Sequence, residues 1–362
     1  MSPATRERTV PAGAGGEPIF PPMLASVLIP TFARSDKLSR CLECLASQTM
    51  DPANFEVIVG FDGPDAAAES SARETWTRAG GKSVIELMQC PREGLQLVRN
   101  RMLARARGRY MISINDDIRP VPNFVLAHVA AHEKRDGANP AVVVGSSPFC
   151  RRENESLLDR LTRKTSMIFF YDVMDAAAPD PGRDWGYRHC FGLNFSARVD
   201  LVREVGGFHA GERLYGYEDI ELGYKLAQRF KTPILYRPDA RAEHEHFYQP
   251  QDLIRREQNL GVAAWHFAKA NPAFAHACFG RDITHPDEIA YSRAFVSHEC
   301  GVAERLRESF LELGKIPASV VDGPHEPILL KLHLQQFVLL KRWTWHNAFL
   351  QAADASPAAL AA

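Results

Sequence analysis

Residues 109–120 read RYMISINDDIRP. The opening five residues are partly apolar and rich in strand formers, and Asn115, Asp116 and Asp117 follow where the strand pattern stops. Pro120 and Pro122 then keep the chain from running on as a central strand. Two adjacent carboxylates raise each other's cost of ionisation, so the pair calls for a positive partner, and a divalent cation is the candidate.

The segments on either side repeat one theme. ASVLIPTF (25–32), FEVIVGFDG (55–63), SVIELMQC (83–90), RYMISIND (109–116) and AVVVGSS (141–147) are apolar runs of strand length. Between them lie SDKLSRCLECLASQ, DAAAESSARETWTRA, GLQLVRNRMLARARG and PNFVLAHVAAHEKR, which read as helices. The first is expected to be capped by Ser35 or Asp36, the second closed by Gly80-Gly81, and the fourth to carry Pro122 in its first turn. Strands without polar alternation suit a parallel sheet buried on both faces. The pattern therefore predicts an α/β fold, a doubly wound and mostly parallel central sheet flanked by helices. Ligands of such sheets sit beyond the carboxyl ends of the strands, so Thr31, Asp62 and Asn115–Asp117 should share one crevice.

Composition limits the function classes. The chain has 362 residues, 45% hydrophobic and 24% charged, with a formal net charge of −1, which gives no electrostatic footprint for a nucleic-acid partner. Seven cysteines, an odd number, suit a reducing, cytoplasmic setting better than a disulfide framework. Cys41 and Cys44 form a lone CxxC; Leu38, Cys41, Leu42 and Leu45 follow helical spacing, so small apolar core residues are expected there. No apolar run is long enough to span a bilayer. Residues 1–22, rich in Gly, Pro and Ala, read as a disordered arm without a secretory signal.

Beyond residue 150 the pattern loosens. ENESLLDRLTRKTSMIFFY (153–171) reads as one helix, RHCFGLNFSARVDLVREVGGF as a strand, a short helix and a Gly-Gly turn, and EDIELGYKLAQRF (218–230) as a helix that starts on two acids. Acids there suit the helix dipole, and the same position suits a general base that stays ionised at neutral pH. Glu221 reads as a solvated or ion-pairing residue. In AEHEH, His244 and His246 would face the same side of a strand. One of them could complete an oxygen–nitrogen metal shell with an aspartate.

In this order VLIPTFARSDKLSRCLECLASQT, FEVIVGFDG, REGLQLVRNRML, RYMISINDDIRPVPNFV, NFSARVDLVREVGGF and GYEDIELGYKL resemble the family-two glycosyltransferases of the GT-A fold, over residues 25–247. The resemblance implies a nucleotide-binding loop at Pro30, Thr31 and Arg34, with Ala33 where Asn is frequent. It implies Asp62 as acceptor for the uracil imide, Gly94, Arg99 and Asn100 near ribose and phosphates, and Asn115-Asp116-Asp117 as the metal motif with Asn in place of its first acid. Asn115 and Asp116 would then serve the nucleotide, and Asp117 with His244 or His246 would hold Mn²⁺ or Mg²⁺. Asp219 is implied as the base, Glu218 as its acceptor-binding neighbour, and Trp185, Gly192 and Asn194 as the donor-sugar and acceptor wall. The implied reaction moves a sugar, with inversion, from a nucleotide diphosphate, UDP above all, to a saccharide, lipid-linked or small-molecule acceptor. A non-catalytic homologue and a nucleotidyltransferase are the rivals; the latter expects a glycine-rich first loop, and this one reads PTFARSDK.

The expected organisation is an arm over 1–22, a catalytic unit over 23–250 and a helical C-terminal extension over 251–362. The stretch LLKLHLQQFVLLKRWTWHNAFL (329–350) mixes aliphatic residues with Lys341, Arg342, Trp343 and Trp345. Packing on the catalytic unit is expected first, with peripheral membrane contact or a homodimer as the alternatives.

Overall fold

The computed structural model describes residues 23–135, 139–177, 180–209, 211 and 216–355; the arm over 1–22 lies outside the described residues. The strands are β1 (Ala25–Thr31), β2 (Phe55–Asp62), β3 (Val84–Cys90), β4 (Tyr110–Ile114), β5 (Ile118–Pro120), β6 (Val142–Gly145), β7 (Asn194–Arg198), β8 (Ile234–Arg237) and β9 (Ala242–His244). The helices of the first half are α1 (Ser35–Ala46), α2 (Ala66–Arg78), α3 (Leu95–Arg105), α4 (Phe124–Glu133), α5 (Leu157–Lys164), α6 (Tyr171–Ala176), α7 (Val199–Glu204) and α8 (Glu218–Phe230). Those of the second are α9 (Pro250–Ala270), α10 (Pro272–Phe279), α11 (Pro286–Leu313) and α12 (Glu326–Asp354).

Seven strands form one sheet in the order β3-β2-β1-β4-β7-β6-β8, and β5 pairs with β9 in a separate ribbon. All pairings in the large sheet are parallel except those of β7, which runs against β4 and β6. The apolar runs of β1, β2 and β4 are buried at every position, as strands covered on both faces must be. The edge strand β3 is mostly half-exposed, with only Cys90 buried. Register brings Thr31 level with Phe61 and Leu28 level with Ser113. The turns after β1, β2 and β4 therefore open at the same rim of the sheet.

Local details depart from expectation where side chains find better partners. Leu38, Cys41, Leu42 and Leu45 form the buried seam of α1, but the residue at its N-cap is Arg34, which makes no side-chain cap bond, and Ser35 is already helical. The chain enters through Ala33 at φ 51°, a left-handed conformation that costs a non-glycine residue free energy and tends to persist at functional turns. Pro122 precedes α4, whose N-cap is Asn123. The helix expected over 153–171 is confined to 157–164: Ser156 and Asp159 form a capping box that starts α5, and Thr165, extended at φ −137° and ψ 164°, ends it.

The C-terminal helices pack on the rest of the chain. Leu157, Leu158 and Leu161 of α5 share one apolar cluster with Leu253 and Ile254 of α9, Phe310 of α11 and Phe337 of α12. Ser156 and Pro317 form an isolated β-bridge, and the Leu157 amide donates to the Ile316 carbonyl at 2.8 Å. Trp343 Nε1 donates to the Val296 carbonyl at 3.0 Å and Trp345 Nε1 to the Tyr217 hydroxyl at 3.1 Å. Both indoles are thus committed to internal partners. Among the described residues no helix is long and apolar enough to cross a membrane.

Gly145, at the end of β6, tests the packing under the rim. A Cβ there would lie 2.1 Å from the Ala240 carbonyl oxygen and 2.4 Å from the Asn194 amide. Gly145→Ala is expected to cost about 1–3 kcal/mol, read as a lower denaturant midpoint at unchanged m.

Candidate active site

At the carboxyl rim lies a cleft of about 420 Å³. Pro30, Arg34, Asp62, Gly94, Arg99, Asn115, Asp116, Asp117, Glu218, His244 and His246 line it, whereas Thr31, Asn100, Trp185, Gly192, Asn194 and Asp219 are not among its lining residues. Phe32, Arg92, Gln96, Phe169, Leu193 and Tyr248 complete the wall.

The end of β2 organises one side. Asp62 is buried, and its Oδ1 accepts from the amides of Glu93 and Gly94 at 2.8 and 3.0 Å. Its Oδ2 accepts from Arg92, whose guanidinium lies against the Phe32 ring, 3.3 Å from the centroid. Gly94 stands at φ 101° as the N-cap of α3, a conformation natural to glycine, and so turns its amide back to Asp62. From the first turns of α3, buried Arg99 donates to Asn115 Oδ1 at 2.9 Å and comes within 4.0 Å of Glu218 Oε1. Asn100 faces away and clasps Phe208 through both its backbone groups at 2.8 Å.

The acids after β4 sit at the centre. Asp116 and Asp117 are both buried. Thr31 Oγ1 donates to Asp116 Oδ2 at 2.7 Å. Arg34 Nη1 lies 2.8 Å from Asp117 Oδ2 and 3.2 Å from Asp116 Oδ1. The β5–β9 ribbon delivers the histidines: Ile118 pairs with His244, and the Glu245 amide donates to the Asp117 carbonyl at 2.7 Å. His244 Nε2 then stands 3.5 Å from Asp117 Oδ1, and His246 Nδ1 stands 3.1 Å from Asp117 Oδ2. Both histidines therefore reach the acid. One ligand atom from each of Asp117, His244 and His246 fits within 4.8 Å of the others. Asp117 Oδ1 and His244 Nδ1 are buried without hydrogen-bond partners, an unmet capacity that suits a cation, and a carboxylate with two imidazoles is a plausible donor set for Mn²⁺. Burial works against ionisation of Asp117, yet the nearby imidazoles of His244 and His246 and the Arg34 charge hold its carboxyl well below the usual range. Burial and the Asp117 charge push Asp116 up to about 6, against Arg34 and Thr31.

The first turn of α8 supplies the opposite wall. Glu218 lines the cleft, and its Oε2 accepts from the Gly216 amide at 2.6 Å. Asp219 sits beside it, partly exposed but not among the cleft-lining residues; it accepts from the Gly192 amide at 2.7 Å and its neighbour Ile220 amide at 2.8 Å. Desolvation and the Glu218 charge push the Asp219 carboxyl up to about 7. The expectation of an acid fully ionised at pH 7 is corrected accordingly: the helix dipole does not outweigh burial beside a second carboxylate. Of the two readings of Glu221, ion pairing holds and solvation does not: it is buried, 3.2 Å from Lys225 Nζ and bonded by Asn271 Nδ2 at 3.1 Å.

Two expected wall residues lie elsewhere. Trp185 donates its amide to Ile234 beside β8 and carries Arg183 over its ring. The Asn194 side chain is buried beneath the sheet rim, bonded to the Ser147 hydroxyl, the Ala240 carbonyl and His128 at 3.1, 3.0 and 2.9 Å. His128 and His132 of α4 both reach the Ser196 hydroxyl at 2.8 Å. Sequence reasoning missed this network; its signal was two histidines four residues apart in the apolar helix α4.

Comparisons with known proteins bear on the family and the fold. Residues 26–205 match the model of the family described as glycosyl transferase family 2. The chain is 26% identical over 272 residues to an uncharacterized glycosyltransferase, YfnE, of Bacillus subtilis (strain 168), covering 62% of this chain and 65% of that protein. It is 30% identical over 220 residues to a validoxylamine A glucosyltransferase of Streptomyces hygroscopicus subsp. limoneus, covering 56% and 48% respectively. The chain thus spans between about half and just under two thirds of these relatives. Among solved structures, the mannosyltransferase PcManGT of Pyrobaculum calidifontis, in complex with GDP-Man and Mn²⁺, superposes with a TM-score of 0.52 at 17% identity, over 92% of this chain and 91% of that one. It supports the fold.

The Asp219 carboxyl yields a pH signature. Folded, it keeps its proton up to about 7, against an ordinary 3.8. Between those values the folded state binds the extra proton, so this group's contribution to stability falls as pH rises through the window. Asp219→Asn is expected to flatten that slope, seen as a smaller drop in Tm between pH 5 and 8 than in the unsubstituted protein.

Proposed function

We propose, taking as premise that residues 26–205 are a glycosyl transferase family 2 domain on the GT-A fold, that the protein transfers a sugar from a UDP-sugar to an acceptor hydroxyl with inversion at the anomeric carbon. The supporting observation is the convergence of Asp62, Asp117 with its two histidines, and Glu218 on one cleft.

In this reading the nucleotide lies along the strand ends. Asp62 accepts the imide N–H of uracil on the oxygen now turned to Arg92, a strong acceptor for such a donor. Phe32 offers its ring face to the base, while Pro30, Thr31 and Gly94 shape the floor. Asn115, Asp116 and Arg99 serve the ribose and phosphates. Asp117, His244 and His246 would hold a divalent cation, Mn²⁺ in preference to Mg²⁺ given the imidazoles, which would supply charge neutralisation for the departing diphosphate. Asp219 takes the acceptor proton as the oxygen attacks. Its elevated basicity suits that work, since a base poised near the operating pH combines availability with driving force. The Gly192 amide fixes its orientation, and Glu218 holds the acceptor. Residues 23–250 act as the catalytic unit and 251–362 as the extension that braces it. The likeness to validoxylamine A glucosyltransferases favours glucose as the sugar and a small polyhydroxylated acceptor.

A screen of UDP-, GDP- and TDP-sugars, with and without Mn²⁺, tests the reading. Turnover of a UDP-sugar that depends on the metal is expected; preference for another nucleotide, or indifference to metal, would overturn the corresponding assignment. Asp219→Asn should lower kcat about 10²–10⁴-fold with UDP affinity retained. Because the base works ionised, kcat/KM should rise with pH through an apparent pKa of about 7. Normal turnover by the variant would remove Asp219 from the role.

A further inference from the structure

We infer that Arg34 is the resident counter-ion of the cation site, and that it makes cation binding depend on the arrival of the donor diphosphate. The inference rests on the metal assignment proposed above and adds a function for a residue so far placed only along the nucleotide.

Three observations carry it. First, Arg34 Nη1 lies between the two acids, 2.8 Å from Asp117 Oδ2 and 3.2 Å from Asp116 Oδ1. The oxygen that a cation would share with His246 is therefore already committed to a positive group. Second, the opposite oxygen, Asp117 Oδ1, is buried and unbonded beside His244. The site thus combines an unmet ligand with a guanidinium that neutralises it. A cation entering alone must displace that guanidinium or bear its repulsion, at close range and in a poorly solvated pocket. Third, Arg34 can leave. Its side chain is 41% exposed against 3% for that of Asp117, so the guanidinium reaches the acids from the solvent side of the cleft.

A diphosphate changes the balance. It brings negative charge into the same cleft, so Arg34 exchanges carboxylates for phosphate oxygens without losing a charged partner. Asp117 is then released to the cation. Donor and cation thereby bind with positive coupling, and coupling of this kind is reciprocal: whatever UDP does for the metal, the metal does for UDP. The device also keeps two buried carboxylates compensated while the cleft is empty, as their burial requires.

The test measures Mn²⁺ binding to the full chain by EPR, with and without UDP, in the unsubstituted protein, Arg34→Ala and Arg34→Lys. Removing the guanidinium should tighten Mn²⁺ binding in the absence of UDP by about fivefold or more, and shrink by a similar factor the gain that UDP confers. Arg34→Lys, which keeps the charge, should stay near the unsubstituted protein. Unchanged or weaker Mn²⁺ binding by Arg34→Ala without UDP overturns the inference. Absence of Mn²⁺ binding in all three proteins, even with UDP present, instead overturns the metal assignment on which it rests. A fall in Tm confined to Arg34→Ala would show a merely structural ion pair only if Mn²⁺ affinity failed to rise with it, so both are read on the same samples.

Discussion

Two carboxylates buried next to each other at the end of β4 set the terms for the rest of the molecule. Desolvating one anion is costly, and desolvating two in adjacent positions without compensation is prohibitive. The chain meets the demand with four residues from three directions. Thr31 comes from β1, Arg34 from the turn into α1, and His244 and His246 from the β5–β9 ribbon. These partners are separated from the acids by 83 to 129 residues along the chain. Only a fold that brings the carboxyl ends of its strands to one rim can collect them, and the parallel register of β1 with β2 and β4 does so.

That geometry also explains the small ribbon. β5 and β9 are three residues each, too short to be stable alone. Their pairing exchanges backbone bonds just where the acidic turn ends, and the Glu245 amide extends the ladder to the Asp117 carbonyl itself. His244 is held further by stacking on Phe149, with ring centroids 4.8 Å apart. The imidazoles are thus placed by strand pairing and aromatic packing rather than by the acid they approach. The C-terminal helices contribute at one remove: α9 starts directly after this segment, and its clusters with α5 and α12 fix where the ribbon's end can go.

What the sequence disclosed, and what it withheld, follows from the same physics. Buried parallel strands print as apolar runs, and acids at their ends interrupt those runs, so the order of elements and the meeting of Asp62 and Asp117 could be read directly, whereas from α8 the acid that lines the cleft is Glu218 rather than the expected base Asp219. Side-chain direction could not. Asn194 lies at the start of β7, and whether it faces the cleft or the helix layer depends on the pairing of an antiparallel strand inside a parallel sheet; His128 and His132 claim that face through Ser196 and Asn194. The N-cap of α1 was misplaced because its choice rests on the left-handed turn at Ala33, which no local preference announces. Phe32 and Arg92 escaped notice for a related reason: their meeting beside Asp62 joins the loops after β1 and β3, which the pairing of both strands with β2 brings together.

The acids of α8 show how one local sequence can yield two unlike groups. Glu218 and Asp219 are neighbours in the first turn of the same helix and feel the same dipole. Glu218 turns toward the cleft and Arg99, whereas Asp219 accepts from the Gly192 amide. Burial and the nearby Glu218 charge then raise the Asp219 carboxyl, while two amide bonds limit the rise. The helix terminus by itself would have made both acids weaker bases, so basicity at Asp219 is a product of tertiary packing working against a favourable local dipole. Gly192 packs tightly into that arrangement: its amide donates to Asp219 Oδ2 at 2.7 Å, and a Cβ there would come within 3.0 Å of the same oxygen, so any larger residue would press on the carboxyl that the amide orients.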